Sequence, residues 1–160
     1  MPVAPGQFRD VLRLWASGVS IVTTRRAGGI QGITVSSFTS LSLDPPLVLV
    51  CIEKRARCHD AIAAQRCFGV NILSAGQADL SDGAAGRRGV EGSWLAAAPH
   101  RTEVTGAPLL AGALAWLDCA LEATHPGGDH TIYVGRVEAA GGVDGKPLLW
   151  FDRGYAGIAD

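Results

Sequence analysis

The sequence predicts a mainly β chain with flanking helices, its antiparallel sheet closed or nearly closed into a barrel. Three observations lead there. About six or seven short strand-like segments are bounded by Gly, Pro or Asp turn signals. Only two stretches carry helical spacing near the N-terminal half. Strands do not alternate regularly with long helices, which disfavours a doubly wound parallel sheet, and a barrel hides the edges of many short strands. At 160 residues, 48% hydrophobic and 18% charged, the chain is expected to form a single domain over 1–160 with a sizeable core.

The elements follow in order. Phe8, Val11, Leu12 and Trp15 recur at helical spacing, predicting an amphipathic helix over 7–16 that Gly18 ends. The β-branched run 19–24 reads as a strand. Gly28-Gly29 turns it into a hairpin whose return strand is 32–38. Residues 47–52 form an unbroken apolar run, expected to be a strand buried on both faces. A helix is predicted over 57–65 and a strand over 67–73. Residues 76–88 are small and polar, and read as irregular or weakly helical. Residues 91–106 read as a loop with some strand around Trp94. Two long strands, 113–123 and 130–139, flank a turn at 126–129. A further turn at 141–145 leads to a last strand, 147–151. Trp15 and Trp116 fit core patterns, whereas Trp150 or Tyr155 is a candidate for contact with a ligand or a second subunit.

Charge and composition exclude several function classes. A formal net charge of -1 gives no basic footprint for nucleic acid or an anionic membrane. No apolar run approaches the roughly 18 residues that span a bilayer. The first residues lack a basic and then apolar leader, so a cytoplasmic protein is expected. Cys51, Cys58, Cys67 and Cys119 lie in or beside apolar runs without a CxxC pair, as reduced and mostly buried thiols do. His59, His100, His125 and His130 show no zinc-type spacing, and no metal is expected.

The most informative stretch is 34–52. Six hydroxyl side chains fall between Thr34 and Ser42, an Asp44-Pro45-Pro46 turn follows, and the apolar run comes next. Hydroxyls and backbone N–H groups beside a buried strand suit a polar, planar, phosphorylated ligand without a cationic cluster. They equally suit a Ser/Thr-rich edge strand beside a core strand.

Three segments together carry a resemblance: GVSIVTT at 18–24, GITVSSFTSLSLDPPLVLVC at 32–51, and GDHTIYVG at 128–135. In this order and spacing the chain resembles the flavin reductase family of FMN-binding split barrels. Phe8-Arg9-Asp10, Phe68 to Leu73, Gly106 to Leu110 and Pro147-Leu148-Leu149 add to the likeness, which extends over about Phe8 to Tyr155. The resemblance implies an FMN-binding split β-barrel of Greek-key type, in a homodimer. It implies an NAD(P)H:flavin oxidoreductase: NADH or NADPH reduces FMN or FAD, and the reduced flavin passes to a partner flavin-dependent monooxygenase. A non-enzymatic FMN-binding electron carrier on the same barrel is the alternative.

The resemblance also assigns residues. Thr34, Val35, Ser36, Ser37 and Ser40 would line the flavin, with Cys51 and Ile52 presenting the next strand's backbone. His130 would face the nicotinamide side as the catalytic candidate. Neutral hydrogen bonds worth about 0.5–1.5 kcal/mol each give the moderate affinity that suits a flavin leaving as product. Two departures stand out. Where the family has Ser-x-Ser-Thr opening a phosphate-binding helix, this chain has Arg55-Ala56-Arg57-Cys58, so Arg57 and Cys58 would serve the phosphate with different donors. The stretch 83–92 is short and lacks the family's two Phe residues, which implies a more open site.

Overall fold

The computed structural model describes residues 1–27, 29–87 and 95–160. The turn residue Gly28, Trp94 and much of the shortened 83–92 stretch lie outside the described residues.

Seven strands form one antiparallel sheet. In chain order they are β2 (Ser20–Arg26), β3 (Gly29–Val35), β4 (Phe38–Leu43), β5 (Pro46–Glu53), β6 (Cys67–Ile72), β9 (Ala115–Gly127) and β10 (His130–Gly142). Their order in space is β3-β2-β6-β9-β10-β5-β4. The edge strands β3 and β4 are therefore consecutive in the chain, joined by Ser36-Ser37 alone. A flat sheet of seven strands would put its edges about 29 Å apart. The step from Val35 to Phe38 spans at most about 11 Å. The sheet must curl until its edges nearly meet, yet they do not pair with each other. This is a barrel split at Ser36-Ser37.

Smaller elements surround it. They are α1 (Pro5–Leu12), β1 (Ser17–Gly18), α2 (Arg57–Gln65), α3 (Ala78–Ala84), the short pair β7 (His100–Arg101) and β8 (Leu109–Leu110), and the closing hairpin β11 (Leu149–Phe151) and β12 (Gly154–Ala156). β11 pairs with both β1 and β12.

Strand β2 is buried on both faces because successive side chains serve two cores. Val22 joins Val50, Ile52, Ile62, Phe68, Val70 and Tyr133 in one. Val19 and Ile21 join Leu73, Leu95, Leu110 and Leu148 in the other. Asn71 satisfies the polar interior of the sheet. Its amide donates to Ile21 O and Thr23 Oγ1, both at 3.0 Å, and its Oδ1 accepts from Leu110 N–H at 2.7 Å.

Several sequence expectations change. The strand over 47–52 is not buried on both faces: Val48, Val50 and Ile52 are buried while Leu47, Leu49 and Cys51 are half-buried. The first helix stops at Leu12, with Arg13 as its C-cap, and none of its residues is buried. Trp15 is 75% exposed rather than packed, and Gly18 belongs to β1. Trp116 is half-buried beneath the Arg101 guanidinium, 4.8 Å from its ring. Residues 78–84 are helical, and Pro126 and Gly127 extend β9. The helix expected over 57–65 and the hairpin of β2 with β3 are present.

Candidate functional site

The split in the barrel builds the site. β3 ends at Val35 and β4 starts at Phe38, so Ser36 is exposed in the gap. Thr34, Val35 and Ser36 line a pocket of about 190 Å³ with Ser81, Trp150 and Tyr155. Ser36 also borders two neighbouring pockets, of about 300 and about 350 Å³. Its hydroxyl makes no hydrogen bond to the described residues, and so remains available to a ligand at the junction of three cavities.

The pocket's far wall is held by a polar network. Thr34 Oγ1 donates to Ser81 O at 2.7 Å. The Tyr155 hydroxyl donates to Asp82 Oδ1 at 2.6 Å and shares a 2.9 Å hydrogen bond with Ser81 Oγ. Burial, reinforced by the bond to Asp82, pushes the Tyr155 hydroxyl above its ordinary pKa. Trp150 meets Tyr155 edge-on, with ring centres 5.1 Å apart. The Arg87 guanidinium lies 4.8 Å from the Trp150 ring centre, a cation–π geometry. An aromatic edge, an apolar wall and neutral hydroxyls make a donor set that fits a planar polar ring.

The remaining sequence candidates are placed differently. Ser37 Oγ donates to Cys51 O at 2.9 Å and accepts from Cys51 N–H at 3.2 Å, clasping β4's start to β5. The Cys51 backbone is thus already engaged. Ile52 is fully buried and pairs opposite Thr131 in the ladder, so its side chain belongs to the core. Cys58 is 1% exposed and also sits in the core. Its thiol is turned away from solvent, against the expectation that it replaces a phosphate-binding hydroxyl. Ser40 is exposed on β4, beside a register shift, and does not line the pocket at the split. Arg57 is the first residue of α2 and borders a separate pocket of about 520 Å³.

His130 opens β10 opposite Glu53 of β5 and Gly127 of β9. Its Nδ1 lies 2.6 Å from Asp129 Oδ1, and its side chain is 43% exposed. That hydrogen bond and the imidazole's charge hold the Asp129 carboxyl below its ordinary pKa, with a smaller contribution from Arg55.

A second histidine escaped the sequence reading as a functional candidate. His59 Nε2 is 2.8 Å from Thr131 Oγ1, and its Nδ1 is 2.7 Å from Asp60 Oδ1. Tyr133 donates its hydroxyl to His59 O at 2.8 Å. These bonds dock the first turn of α2 on β10, one residue from His130. No spacing links position 59 to 131; only their closeness in the folded chain does. Ser81 and Arg87 were missed for the same reason. Among the described residues, no group of three or more His, Cys, Asp or Glu side chains is arranged to hold a metal ion.

Comparison with known proteins gives a consistent picture. The model of the flavin reductase like domain matches residues 12–159. An NADH-dependent flavin reductase of Rhodococcus sp is 40% identical over 162 residues, covering 98% of this chain and 88% of that protein. The reductase component of 4-hydroxyphenylacetate 3-monooxygenase from Thermus thermophilus is 38% identical, covering 92% of this chain and 93% of that one. The structure of a Streptomyces globisporus NADH:FAD oxidoreductase, in complex with NAD and FAD fragments, superposes with a TM-score of 0.88 at 35% identity. It covers 99% of this chain and 97% of that one.

Proposed function

The chain belongs to the flavin reductase like domain family, and we propose from that membership that it is an NADH-dependent flavin reductase. It takes FMN or FAD, and hands the reduced flavin to a partner monooxygenase. When bound, the nicotinamide and the flavin supply the redox chemistry, a hydride passing from one to the other. The protein's part is to orient two planar groups and release one of them. The observation that carries this reading is the split itself. It leaves Ser36 with an unused hydroxyl between Thr34 and the Trp150–Tyr155 edge.

Each residue then has a task. Thr34, Val35 and Ser36 form the flavin wall. Ser37 holds β4 against β5 and so keeps the split at a fixed width. Arg57, at the uncapped N-terminus of α2, meets the flavin phosphate. His130, steered by Asp129, positions the nicotinamide. Few charge-assisted bonds reach the ring, so flavin binds moderately and leaves as product. NADH is favoured over NADPH because two of the three relatives described above are named for NADH. A cytoplasmic location agrees with four cysteines that form no disulfide among the described residues.

The test is anaerobic. Purified protein is mixed with NADH and either FMN or FAD, and flavin bleaching is followed. Bleaching well above the protein-free rate is expected. A yellow protein that holds flavin but never oxidises NADH would instead be an electron carrier.

A further inference from the structure

We propose that His59 is a positioning residue for the reductase reaction: through Thr131 it fixes the height of His130 beside the nicotinamide. This rests on the flavin reductase reading, which gives His130 its task, and deepens it. His130 lies at the tip of the β9–β10 hairpin. From Glu122 to Gly127 no residue of β9 is buried, and His130, Thr131 and Ile132 at the start of β10 are only half-buried. Few apolar contacts hold such an end, so polar bonds decide where it sits.

Beyond the strand ladder, those bonds come from one short segment, Glu53 to His59. The segment is folded on itself: Ala56 N–H donates to Glu53 O and His59 N–H to Ala56 O, both at 3.0 Å. On one side of His130, Lys54 N–H donates to Asp129 O at 2.9 Å, and Lys54 Nζ donates to Gly128 O at 2.6 Å. On the other side, His59 Nε2 is 2.8 Å from Thr131 Oγ1. His130 thus sits between two neighbours that are both tied to the same segment.

The partners set the direction of each bond. A carboxylate only accepts, so His59 Nδ1, 2.7 Å from Asp60 Oδ1, carries a proton. In the neutral ring Nε2 is then the acceptor, and the Thr131 hydroxyl donates to it. The Tyr133 ring meets the imidazole edge-on at 5.5 Å, and its hydroxyl donates to His59 O at 2.8 Å. Tyr133 is fully buried, and Cys58, Ala61 and Ile62 bury α2 against the barrel. The helix is therefore the fixed side of the contact and the hairpin tip the guided side. Successive residues of a strand face opposite ways. Thr131 and Tyr133 face α2, so His130 points from the other side of β10. His59 acts on it through the strand's backbone, not by meeting the nicotinamide itself.

Steady-state oxidation of NADH by the purified full chain, with flavin in excess, tests this. Thr131→Val and His59→Phe each remove the bond and keep a side chain of similar shape. Each should lower kcat/KM for NADH about fivefold, and the two together no more than either alone. The flavin Kd should move less than about twofold, because α2 stays seated. Thr131→Ser keeps the hydroxyl and should retain the wild-type value. In a His130→Ala background neither substitution should cost anything further. A contact that only stabilises the fold would lower the thermal midpoint and leave kcat/KM unchanged, which overturns the proposal. So would a loss that persists in full in the His130→Ala background, or an equal loss of flavin binding. If the wild type oxidises no NADH, the reductase reading fails and the proposal falls with it. If the wild type is active and both variants match it, only the proposal fails.

Discussion

At the scale of single residues, Ser36 and Ser37 are neighbours with opposite tasks. Ser36 has a hydroxyl with no protein partner among the described residues, while Ser37 uses its own twice on Cys51. Ser36→Ala should therefore raise the flavin Kd about fivefold and leave the thermal midpoint unchanged, since only a ligand bond is lost. Ser37→Ala should lower the midpoint, because two β5 backbone groups lose their partner; scanning calorimetry separates the two. His130→Ala should raise the KM for NADH or lower kcat at least several-fold in steady-state assays, and unchanged kinetics would remove His130 from the mechanism. The thiols give a pH prediction. Burial, then the charges of Asp118 and Glu138, push Cys119 up to about 12 from 9.0. Cys51 and Cys67 are raised in the same direction, chiefly by burial. The unfolded chain gives up these protons near 9.0 while the folded chain keeps them. Stability is therefore full below about pH 9 and declines as pH rises toward 12. Chemical denaturation across that range should show the decline, and Cys119→Ala should flatten it.

At the scale of elements, Asp118 shows how one buried side chain fixes a loop. It is fully buried on β9. Its Oδ2 accepts from Val104 N–H at 2.7 Å and Thr105 N–H at 2.9 Å, and its Oδ1 accepts the Thr105 hydroxyl. Asp118→Ala strands these donors and should cost about 3 kcal/mol in a denaturant titration. Asp118→Asn keeps one acceptor oxygen and should cost about 1 kcal/mol. Nothing in the sequence around 104 or 118 announces this contact. Locally determined elements were legible: α2 has the bounds its composition predicted, and β2 and β6 follow their β-branched and apolar runs. The pocket-lining Thr34 and Ser36 stood out too, because they belong to the run of six hydroxyls between Thr34 and Ser42. Where the determinant is distant, the reading failed. An apolar run such as 47–52 does not say whether its own chain covers both faces. The helix over 78–84 was legible only in part, as irregular or weakly helical, because Gly and Asp interrupt it, and three-residue β12 carries too little pattern to see. His59, Ser81 and Arg87 reach their partners only through the folded packing of segments far apart in sequence.

At the scale of the whole molecule, α1 leaves its apolar side unburied inside one chain. Phe8, Val11 and Leu12 are at least half exposed, and Leu14 and Trp15, just beyond its end, are 60% and 75% exposed. An amphipathic helix forms to bury its apolar side, and in an isolated chain this one buries no residue. The homodimer that the resemblance implies would give the stripe a partner, a second copy of the same chain. It would also matter for the site. Leu12 and Trp15 border the same cavity as Ser36 and Trp150, so a second subunit seated there would wall the split that the single chain leaves open. Light scattering on the wild type should then return about twice the 16.6 kDa of one chain. Leu12→Glu combined with Trp15→Glu puts two like charges on a face that must be dry, and should return the single-chain mass. Circular dichroism should stay that of a folded barrel, because neither side chain contributes to either core. Flavin affinity should fall in the same variant. A monomeric wild type would sink the dimer, and a monomeric variant that binds flavin normally would separate the dimer from the site.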